Sequence, residues 1–582
     1  MKFLRNFLAS ILGTLTAIFI IFLFFLLIAS IAGSKDKITV YSNSVLELDL
    51  SNPIKDYAPK DDNPFAEIFD LDDPILGLNT IINAIENAKT DNKIKGISIK
   101  TSFINAGLAQ TQAIRKKLEE FKESGKFVYA YNDIYSQKSY YLSSVADSLF
   151  LSPVGVVDFR GLSAEILYYK DFEDKYGIKM EVIRHGKYKS AVEPYLSNKM
   201  SDANREQTTS FLKSIWSEMI DDIGKSRNIS SENLNLIADN SEGRNATVAK
   251  NSNLIDASIY ADEYEEKIKN AAEVSKPKTI SITDYIKSGK GRISSTAKNK
   301  IAVIYAQGTI LYGDGNEDII GQGLTNKAIK KAVKDKNVKA IVLRVNSPGG
   351  DALTSELIWR ELELAKKKKP IVVSMSNVAA SGGYYIAANA NKIFAEPTTI
   401  TGSIGVFGTI PNISQLSENI GINAEQVSTN NSANYSLFEP MSKKFYDVTK
   451  EGVERIYTTF LSRVAKGRNM TMEEVDKIAQ GRVWTAKQAI KIGLVDELGG
   501  LNDAVKAAAE LAEVDSYRIR NYPSYKKELK DAFKISPFGK IKKEEILKET
   551  LGVDAYRMYN NINQMKNLKG IQARMPFVYQ IK

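Results

Sequence analysis

The sequence contains no cysteine and only one histidine, His185, among its 582 residues. Without cysteine the chain cannot form disulfides, thiolate metal sites or a thiol nucleophile. One histidine cannot build a histidine-based zinc site, so we expect neither a metal nor a cofactor. The formal net charge of +10 comes from lysine-rich runs, which indicate either a solvated surface or attraction to anionic lipid. We expect no nucleic-acid partner.

Charge is also absent from a long stretch near the N-terminus. Lys2 and Arg5 precede an uncharged run over residues 6–34 that is rich in Leu, Ile and Phe. A helix needs about 20 apolar residues to cross a bilayer, whereas the apolar part of a cleaved signal peptide is usually ~7–15 residues long. We therefore predict a cytoplasmic tip and single transmembrane anchor over residues 1–34, although residues 30–32 (Ser-Ile-Ala) also fit a cleavage site. The positive-inside rule leaves the N-terminus in the cytoplasm and the later domains on the outer side of the cytoplasmic membrane.

A serine stands at the end of a predicted buried strand. The apolar run at residues 371–373 leads into Ala380-Ser381-Gly382-Gly383, after which a helix can start. A serine in that position lies near the positive end of a helix dipole. We expect Ser381 on an exposed turn, where it is a candidate nucleophile, although an ordinary helix N-cap is the simpler interpretation.

A second strand–turn–helix pattern lies upstream of that serine. The mainly apolar run at residues 338–345 is followed by Asn-Ser-Pro and the pair Gly349-Gly350, and then by a helical pattern. A glycine pair after a strand can direct backbone N–H groups outward, as an oxyanion hole requires. The two units together resemble the Clp protease/crotonase superfamily.

The chain contains an internal repeat. Residues 94–161 align with residues 338–405 without a gap, and weaker matches continue for a further hundred residues or so. We therefore predict an α/β fold in which tandem crotonase/Clp-protease-like domains, built from ββα units, follow the transmembrane helix. The first domain is predicted at 45–285 and the second at 299–515. A Gly/Ser/Lys-rich linker at 286–298 separates them, and a basic extension without assigned function follows at 516–582.

The two copies differ where chemistry is expected. Gln137 of the first copy stands opposite Ser381, and the glycine pair has no counterpart there. Conversely, Lys189 of the first copy stands opposite Tyr435 of the second. This complementary loss predicts one composite site that draws residues from both copies.

A serine hydroxyl needs a base within hydrogen-bond reach. His185, Lys187, Lys189 or a carboxylate could supply it, and each could equally be a residue without a catalytic role. A lysine can act as the base if desolvation lowers its pKa toward the working pH. Serine–lysine pairs are a known variant of the catalytic triad.

Three motifs in this order resemble the signal peptide peptidase A family, also called protease IV, in its long duplicated form. They are Gly-x-Tyr-Lys-Ser-Ala-Val-Glu-Pro at 186–194, Asn-Ser-Pro-Gly-Gly at 346–350 and Ala-Ser-Gly-Gly-Tyr-Tyr at 380–385. The resemblance implies that Ser381 is the nucleophile and that Lys189, not Lys187, is the general base.

The same resemblance implies further features of the site and of the whole protein. Gly382 should supply one oxyanion N–H and Gly349 or Gly350 the other. Ser403 is a candidate near-site residue, although an ordinary turn residue is an equally good interpretation. The family also implies a bowl-shaped homotetramer that faces the membrane and degrades cleaved signal peptides and other apolar peptides.

Two other classes of function remain as alternatives. A catalytically silent crotonase-fold membrane scaffold would keep the fold without the activity, since fold alone does not give function. A crotonase-type acyl-CoA enzyme is disfavoured, because the anchor puts the domains outside the cytoplasm and a serine–lysine pair stands in place of paired carboxylates.

Overall fold

The computed structural model describes residues 2–32, 38–58, 75–430, 436–525 and 572–575. Most of the predicted extension at 516–582, and Tyr435, lie outside the described residues. Of the chain described, one helix is long and apolar enough to cross a membrane, by length and composition: Lys2–Phe24, within the helix Lys2–Ala32. An anchor and a signal sequence both meet that criterion.

The N-terminal copy is built on a six-stranded sheet in which all neighbouring strands are parallel. Its central strand Ile94–Ile99 is apolar and almost wholly buried, as expected of a strand covered by helices on both faces. In spatial order the strands are Ala257–Ser258, Ser148–Val157, Phe127–Tyr135, Ile94–Ile99, Ser44–Leu48 and Lys278–Ser281.

The C-terminal copy repeats this strand order. Its last strand, Arg518–Tyr522, pairs in parallel with Lys300–Gln307 and lies beyond the predicted limit of residue 515. The strands of this sheet are Val483–Thr485, Ile400–Gly402, Ile371–Ala380, Val338–Ser347, Lys300–Gln307 and Arg518–Tyr522. Lys392–Ala395 also pairs with Ile371–Ala380, and Glu497–Leu498 pairs with Lys392–Ala395.

The helices repeat as well. The longest helices of the two copies, Asp202–Arg227 and Lys443–Arg468, both span 26 residues and both end on an asparagine in the left-handed region, Asn228 and Asn469. The prediction of a duplicated α/β fold is therefore confirmed, while its boundaries stay predictions. The helices of the N-terminal copy are Leu78–Thr90, Leu108–Lys122, Gln137–Ser143, Lys170–Tyr176, Ser190–Tyr195, Asp202–Arg227, Ser231–Asp239, Ala246–Asn251, Ala261–Ala272, Ile282–Tyr285 and Ile286–Lys290. Those of the C-terminal copy are Gln322–Lys334, Ala352–Lys366, Gly382–Ala387, Ser414–Asn419, Lys443–Arg468, Met472–Ile478, Ala486–Ala489, Ile490–Ile492 and Leu501–Leu511.

A third sheet, here the shared sheet, joins the two copies. Lys179–His185 from the N-terminal copy pairs antiparallel with Val406–Asn412 from the C-terminal copy over seven residues. This pairing fixes the loop that follows His185 against the C-terminal copy. In spatial order the strands of the shared sheet are Ile319–Ile320, Thr309–Ile310, Gly349–Asp351, Gln572–Arg574, Val406–Asn412 and Lys179–His185.

A buried ion pair also joins the copies. The Asp56 carboxylate accepts hydrogen bonds from Arg344 Nε at 2.7 Å, Asn346 Nδ2 at 2.6 Å and Gln110 Nε2 at 3.2 Å. The side chains of Asp56 and Arg344 are 1% and 2% exposed. Because both charges are fully desolvated, losing either partner would leave the other uncompensated in the interior.

Candidate active site

Ser381 is held at the junction of a strand and a helix. It follows Ile371–Ala380 and precedes Gly382–Ala387, with φ of 55° and ψ of −117°. Positive φ is uncommon for a residue with a side chain and is maintained only by surrounding contacts. Here the Ser381 N–H donates to Gly402 O at 2.8 Å, and its carbonyl accepts from Tyr385 N at 2.8 Å.

The expectation that Ser381 lies on an exposed turn is wrong. Its side chain is fully buried. The strand Gln572–Arg574 lies against this corner, since a methyl group built on Gly382 would be 3.0 Å from Ala573 O. Ala573 is far from Ser381 in the chain, so the local sequence around the serine could not reveal this cover.

Lys189 reaches Ser381 from the other copy within one chain. Its Nζ lies 2.9 Å from Ser381 Oγ, 3.1 Å from Ser403 O and 3.1 Å from Ser403 Oγ. Lys189 comes immediately before the 3₁₀ helix Ser190–Tyr195, in the loop that the shared sheet holds against the C-terminal copy. The fold therefore brings together Ser381 of one copy and Lys189 of the other, the two residues that the complementary losses single out.

Lys189 is completely buried, and this burial lowers its pKa well below the ordinary value for lysine. Desolvation disfavours the charged ammonium. Among the described residues no carboxylate pairs with Nζ to oppose that effect; its hydrogen-bond partners are hydroxyl and carbonyl oxygens. The amine is therefore suited to accept a proton.

Two glycines make room for the lysine side chain. A methyl group built on Gly481 would lie 2.7 Å from Lys189 Cβ, and one on Gly405 would lie 3.2 Å from Lys189 Cδ. Gly481 also has φ of 79°, which favours glycine. Both glycines match glycines of the N-terminal copy in the repeat, Gly243 and Gly161, but the sequence alone did not assign them to the site.

The other two candidate bases point away from Ser381. His185 Nδ1 lies 2.7 Å from Glu454 Oε2, and its ring stacks on Tyr457 with centroids 3.9 Å apart. Lys187 is exposed, with its Nζ 5.2 Å from the ring centroid of Tyr188. Of the three, only Lys189 is brought to the serine.

Ser403 lies beside the pair, as the family resemblance implies. It is fully buried with φ of 50°, and its N–H donates to Arg482 O at 2.7 Å. Its carbonyl and hydroxyl oxygens both contact Lys189 Nζ, so this one residue provides two of the three polar neighbours of the amine.

Gln207 was not identified from the sequence. Its fully buried amide Nε2 donates to Tyr188 O at 3.0 Å and to Ser190 Oγ at 2.9 Å, on either side of Lys189. Its Oε1 accepts from Val483 N at 3.3 Å in the C-terminal copy. The amide therefore ties the lysine loop to the strand next to Gly402, and nothing in its helical context signals this role.

The predicted oxyanion glycines lie together. Gly349 and Gly350 have φ of 94° and 154°, and a methyl group on Gly349 would be 2.6 Å from Gly382 N. The Gly349 N–H donates to Ser347 Oγ at 3.1 Å. This bond favours Gly350 over Gly349 as the second donor beside Gly382.

The corresponding corner of the N-terminal copy is filled. Gln137, which stands opposite Ser381, accepts from Gly161 N at 2.9 Å and donates to Gly161 O at 2.8 Å. Lys138 Nζ donates to Ala106 O at 2.5 Å, at the position matching the glycine pair. In the N-terminal copy, polar side chains therefore hydrogen-bond to the backbone at the positions that match Ser381 and the glycine pair.

Comparison with known proteins identifies the family. The sequence pattern of peptidase family S49 matches residues 120–275 and 363–515, one segment in each copy. Protease 4 of Haemophilus influenzae is 38% identical over 444 residues, covering 74% of this chain and 72% of that protein. The chain belongs to peptidase family S49. Protease 4 of Salmonella typhi is 39% identical over 455 residues, covering 76% of this chain and 73% of that protein.

A plant relative supports the same assignment. The chloroplastic serine protease SPPA of Arabidopsis thaliana is 34% identical over 451 residues, covering 75% of this chain and 66% of that protein. The chain is thus a serine protease of the S49 family. Its predicted membership in the signal peptide peptidase A (protease IV) family is confirmed.

Proposed function

We propose that this chain is a membrane-anchored serine endopeptidase with a serine–lysine dyad, and that it degrades cleaved signal peptides and other apolar peptides. Ser381 is the nucleophile and Lys189 the general base. The observation that carries the proposal is the 2.9 Å contact between Lys189 Nζ and Ser381 Oγ, made by a lysine that is fully buried.

The surroundings of the amine favour its role as a base. A neutral amine has two N–H donors and one lone pair. Ser403 O can only accept, and it takes one N–H; Ser403 Oγ takes the second. The lone pair then faces the Ser381 hydroxyl, so proton transfer needs no rearrangement before attack.

The reaction follows acyl-transfer chemistry. Ser381 Oγ attacks the scissile carbonyl carbon while Lys189 takes its proton, and Lys189 then protonates the leaving amine. The N–H groups of Gly382 and of Gly350 or Gly349 stabilise the oxyanion as charge develops. Water hydrolyses the acyl-enzyme with Lys189 again acting as the base.

The substrate class and location belong to the same proposal. The apolar helix Lys2–Ala32 serves as an uncleaved anchor, with Lys2 and Arg5 in the cytoplasm and both copies on the outer side. The family resemblance extends the proposal to a homotetramer. An anchored peptidase of this kind would meet cleaved signal peptides at the membrane where they are left.

A serine-directed fluorophosphonate probe tests the assignment. Wild-type protein in detergent should gain one probe mass on Ser381 and should hydrolyse an apolar peptide. Ser381→Ala should lose both, and Ser355→Ala, which removes a serine hydroxyl 2.9 Å from Asp351 O, is the matched control. Full peptide turnover by Ser381→Ala would refute the nucleophile, and a folded wild-type protein that neither labels nor cleaves would favour the silent scaffold.

A further inference from the structure

The chain leaves the apolar N-terminal helix close to one edge of the N-terminal copy. The helix ends at Ala32, and the next described residue is Ile38, so residues 33–37 connect the two. At ~3.5 Å per residue, such a connection spans roughly 20 Å at most. The proposed function makes this helix an anchor, so the segment that begins at Ile38 lies close to the membrane surface.

Hydrogen bonds tie that segment to the sheet of the N-terminal copy. Lys93 Nζ donates to Val40 O at 2.8 Å, and the Lys278 N–H donates to Asn43 O at 3.2 Å. These two lysines stand at the starts of the strands that flank Ser44–Leu48, and all three strands run parallel. Strands that run parallel begin at the same edge of a sheet, so the segment is a fixed part of that edge.

The exposed charges at these strand starts are mainly positive. We call this part of the sheet the entry edge, and it comprises residues 38–43, 93–95 and 276–278. Lys93, Lys276 and Lys278 are exposed there, and in the described part of the chain none of them pairs with a carboxylate. The neighbouring Asp91 carboxylate is 8% exposed and already pairs with Lys290 at 2.9 Å. The three lysines therefore present charge that the described residues do not neutralise.

Two further exposed side chains at the entry edge suit the boundary between water and lipid. Tyr41 is 61% exposed and Ile38 is 36% exposed. Tyrosine is enriched at membrane interfaces, where its ring contacts lipid and its hydroxyl stays hydrated. One exposed carboxylate, Glu273, precedes Lys276 by three residues, so the exposed groups of this region still carry a net positive charge.

We propose that the entry edge docks on anionic lipid headgroups beside the anchor, with its three exposed lysines on the phosphates and Tyr41 in the headgroup layer. The inference rests on the proposed anchoring of the helix Lys2–Ala32. Attraction between lysines and anionic lipid acts within a Debye length of about 8–10 Å at physiological salt. The short connection to the anchor allows the edge to come that close. Docking fixes one face of the N-terminal copy toward the membrane.

Site-specific fluorescence quenching in vesicles tests this inference, because the chain has no cysteine of its own. Full-length Thr279→Cys carries a fluorophore at an exposed position next to Lys278, far from the anchor in sequence. The protein is reconstituted in vesicles of phosphatidylcholine, or of phosphatidylcholine with phosphatidylglycerol, each with a nitroxide on the lipid headgroup. Quenching should be at least about twofold stronger in the anionic vesicles, and high salt should remove the difference.

A charge reversal identifies the lysines responsible. In the labelled protein, Lys276→Glu/Lys278→Glu should lower quenching in anionic vesicles to the level in neutral ones. Its turnover of an apolar peptide in detergent should equal that of the unreversed protein, which also shows that it is folded. Lys213→Glu/Lys250→Glu is the matched control, because it makes the same change of charge at two exposed lysines outside the entry edge. The control should keep the dependence on lipid charge.

A second reporter identifies the face that docks. Ser163 is exposed beyond the carboxyl end of Ser148–Val157, at the opposite end of the sheet, so a fluorophore on Ser163→Cys should not respond to lipid charge. An equal response at Ser163→Cys overturns the assignment to the entry edge. An anchored, active Thr279→Cys protein that is quenched equally in both vesicles overturns the docking and leaves the proposed function standing. A protein that stays out of the vesicles overturns the anchor and this inference together.

Discussion

Replacing Lys189 with methionine would isolate its role as a base. Methionine is unbranched and apolar, so it can follow the channel between Gly405 and Gly481 without bringing a polar group into it. General-base catalysis by a positioned side chain contributes roughly 10²–10⁴-fold. Because Lys189 is the one candidate base brought to Ser381, turnover should fall by about 10³-fold or more.

The pH dependence of the wild type follows from the burial of this lysine. An ordinary lysine, with a pKa of about 10.4, is neutral in only about one molecule in 2,500 at pH 7. Burial lowers the pKa of Lys189 well below that value. The base must be neutral to act, so activity should rise as the pH passes upward through the lowered pKa and then level off.

The same lowered pKa also makes the stability of the folded protein depend on pH. Between the lowered pKa and about 10.4, the unfolded chain binds a proton that the folded chain does not, so the free energy of unfolding rises with pH there, by about 1.4 kcal/mol per pH unit. Lys189→Met removes this term. The variant's gain in free energy of unfolding over the wild type should therefore be largest at and below the lowered pKa. This gain should shrink as the pH rises toward 10.4.

The assay combines turnover of an apolar peptide with urea unfolding across that pH range. Lys187→Met removes an exposed lysine two residues away and should change neither profile, and His185→Gln should retain most activity. Lys189→Arg should not rescue turnover, because arginine keeps its proton at any relevant pH. A Lys189→Met protein that cleaves at the wild-type rate, or a His185→Gln protein that is inactive while Lys189→Met is active, would refute the serine–lysine reasoning.

Three further outcomes are expected. Ser403→Ala removes the hydroxyl contact to Lys189 Nζ but keeps the carbonyl contact. We expect kcat to fall about tenfold, which corresponds to one hydrogen bond of ~1–1.5 kcal/mol. An unchanged kcat would contradict the role given to the hydroxyl. Asp56→Ala leaves the buried Arg344 without its partner and should lower the free energy of unfolding in urea by about 3–5 kcal/mol. Lys55→Ala breaks an exposed ion pair and should lower it by at most ~1 kcal/mol. Equal losses would contradict the burial argument. Deletion of residues 1–34 should release a folded protein from washed membranes, and retention in high salt would reveal a second membrane-binding surface.

Local sequence patterns determined the elements of this fold and the candidates for its chemistry. Apolar runs and helical periodicity recur at matched spacings in the two copies, so the duplicated α/β architecture could be predicted from residues alone. The loss of the serine and glycine turn from one copy, and of the lysine from the other, similarly predicted a composite site. Such inferences succeed because strand and helix patterns depend on neighbours close in sequence.

Tertiary structure decided which candidates meet and in what environment. Lys187 and Lys189 differ little in sequence context, but pairing of Lys179–His185 with Val406–Asn412 buries one and leaves the other in solvent. Desolvation, and with it the lowered pKa, depends on residues far apart in the chain. The bond from Gln207 to Val483 and the strand Gln572–Arg574 over the glycine turn likewise join distant segments. No local pattern encodes these contacts, because each arises only when the two copies and the C-terminal strand pack together.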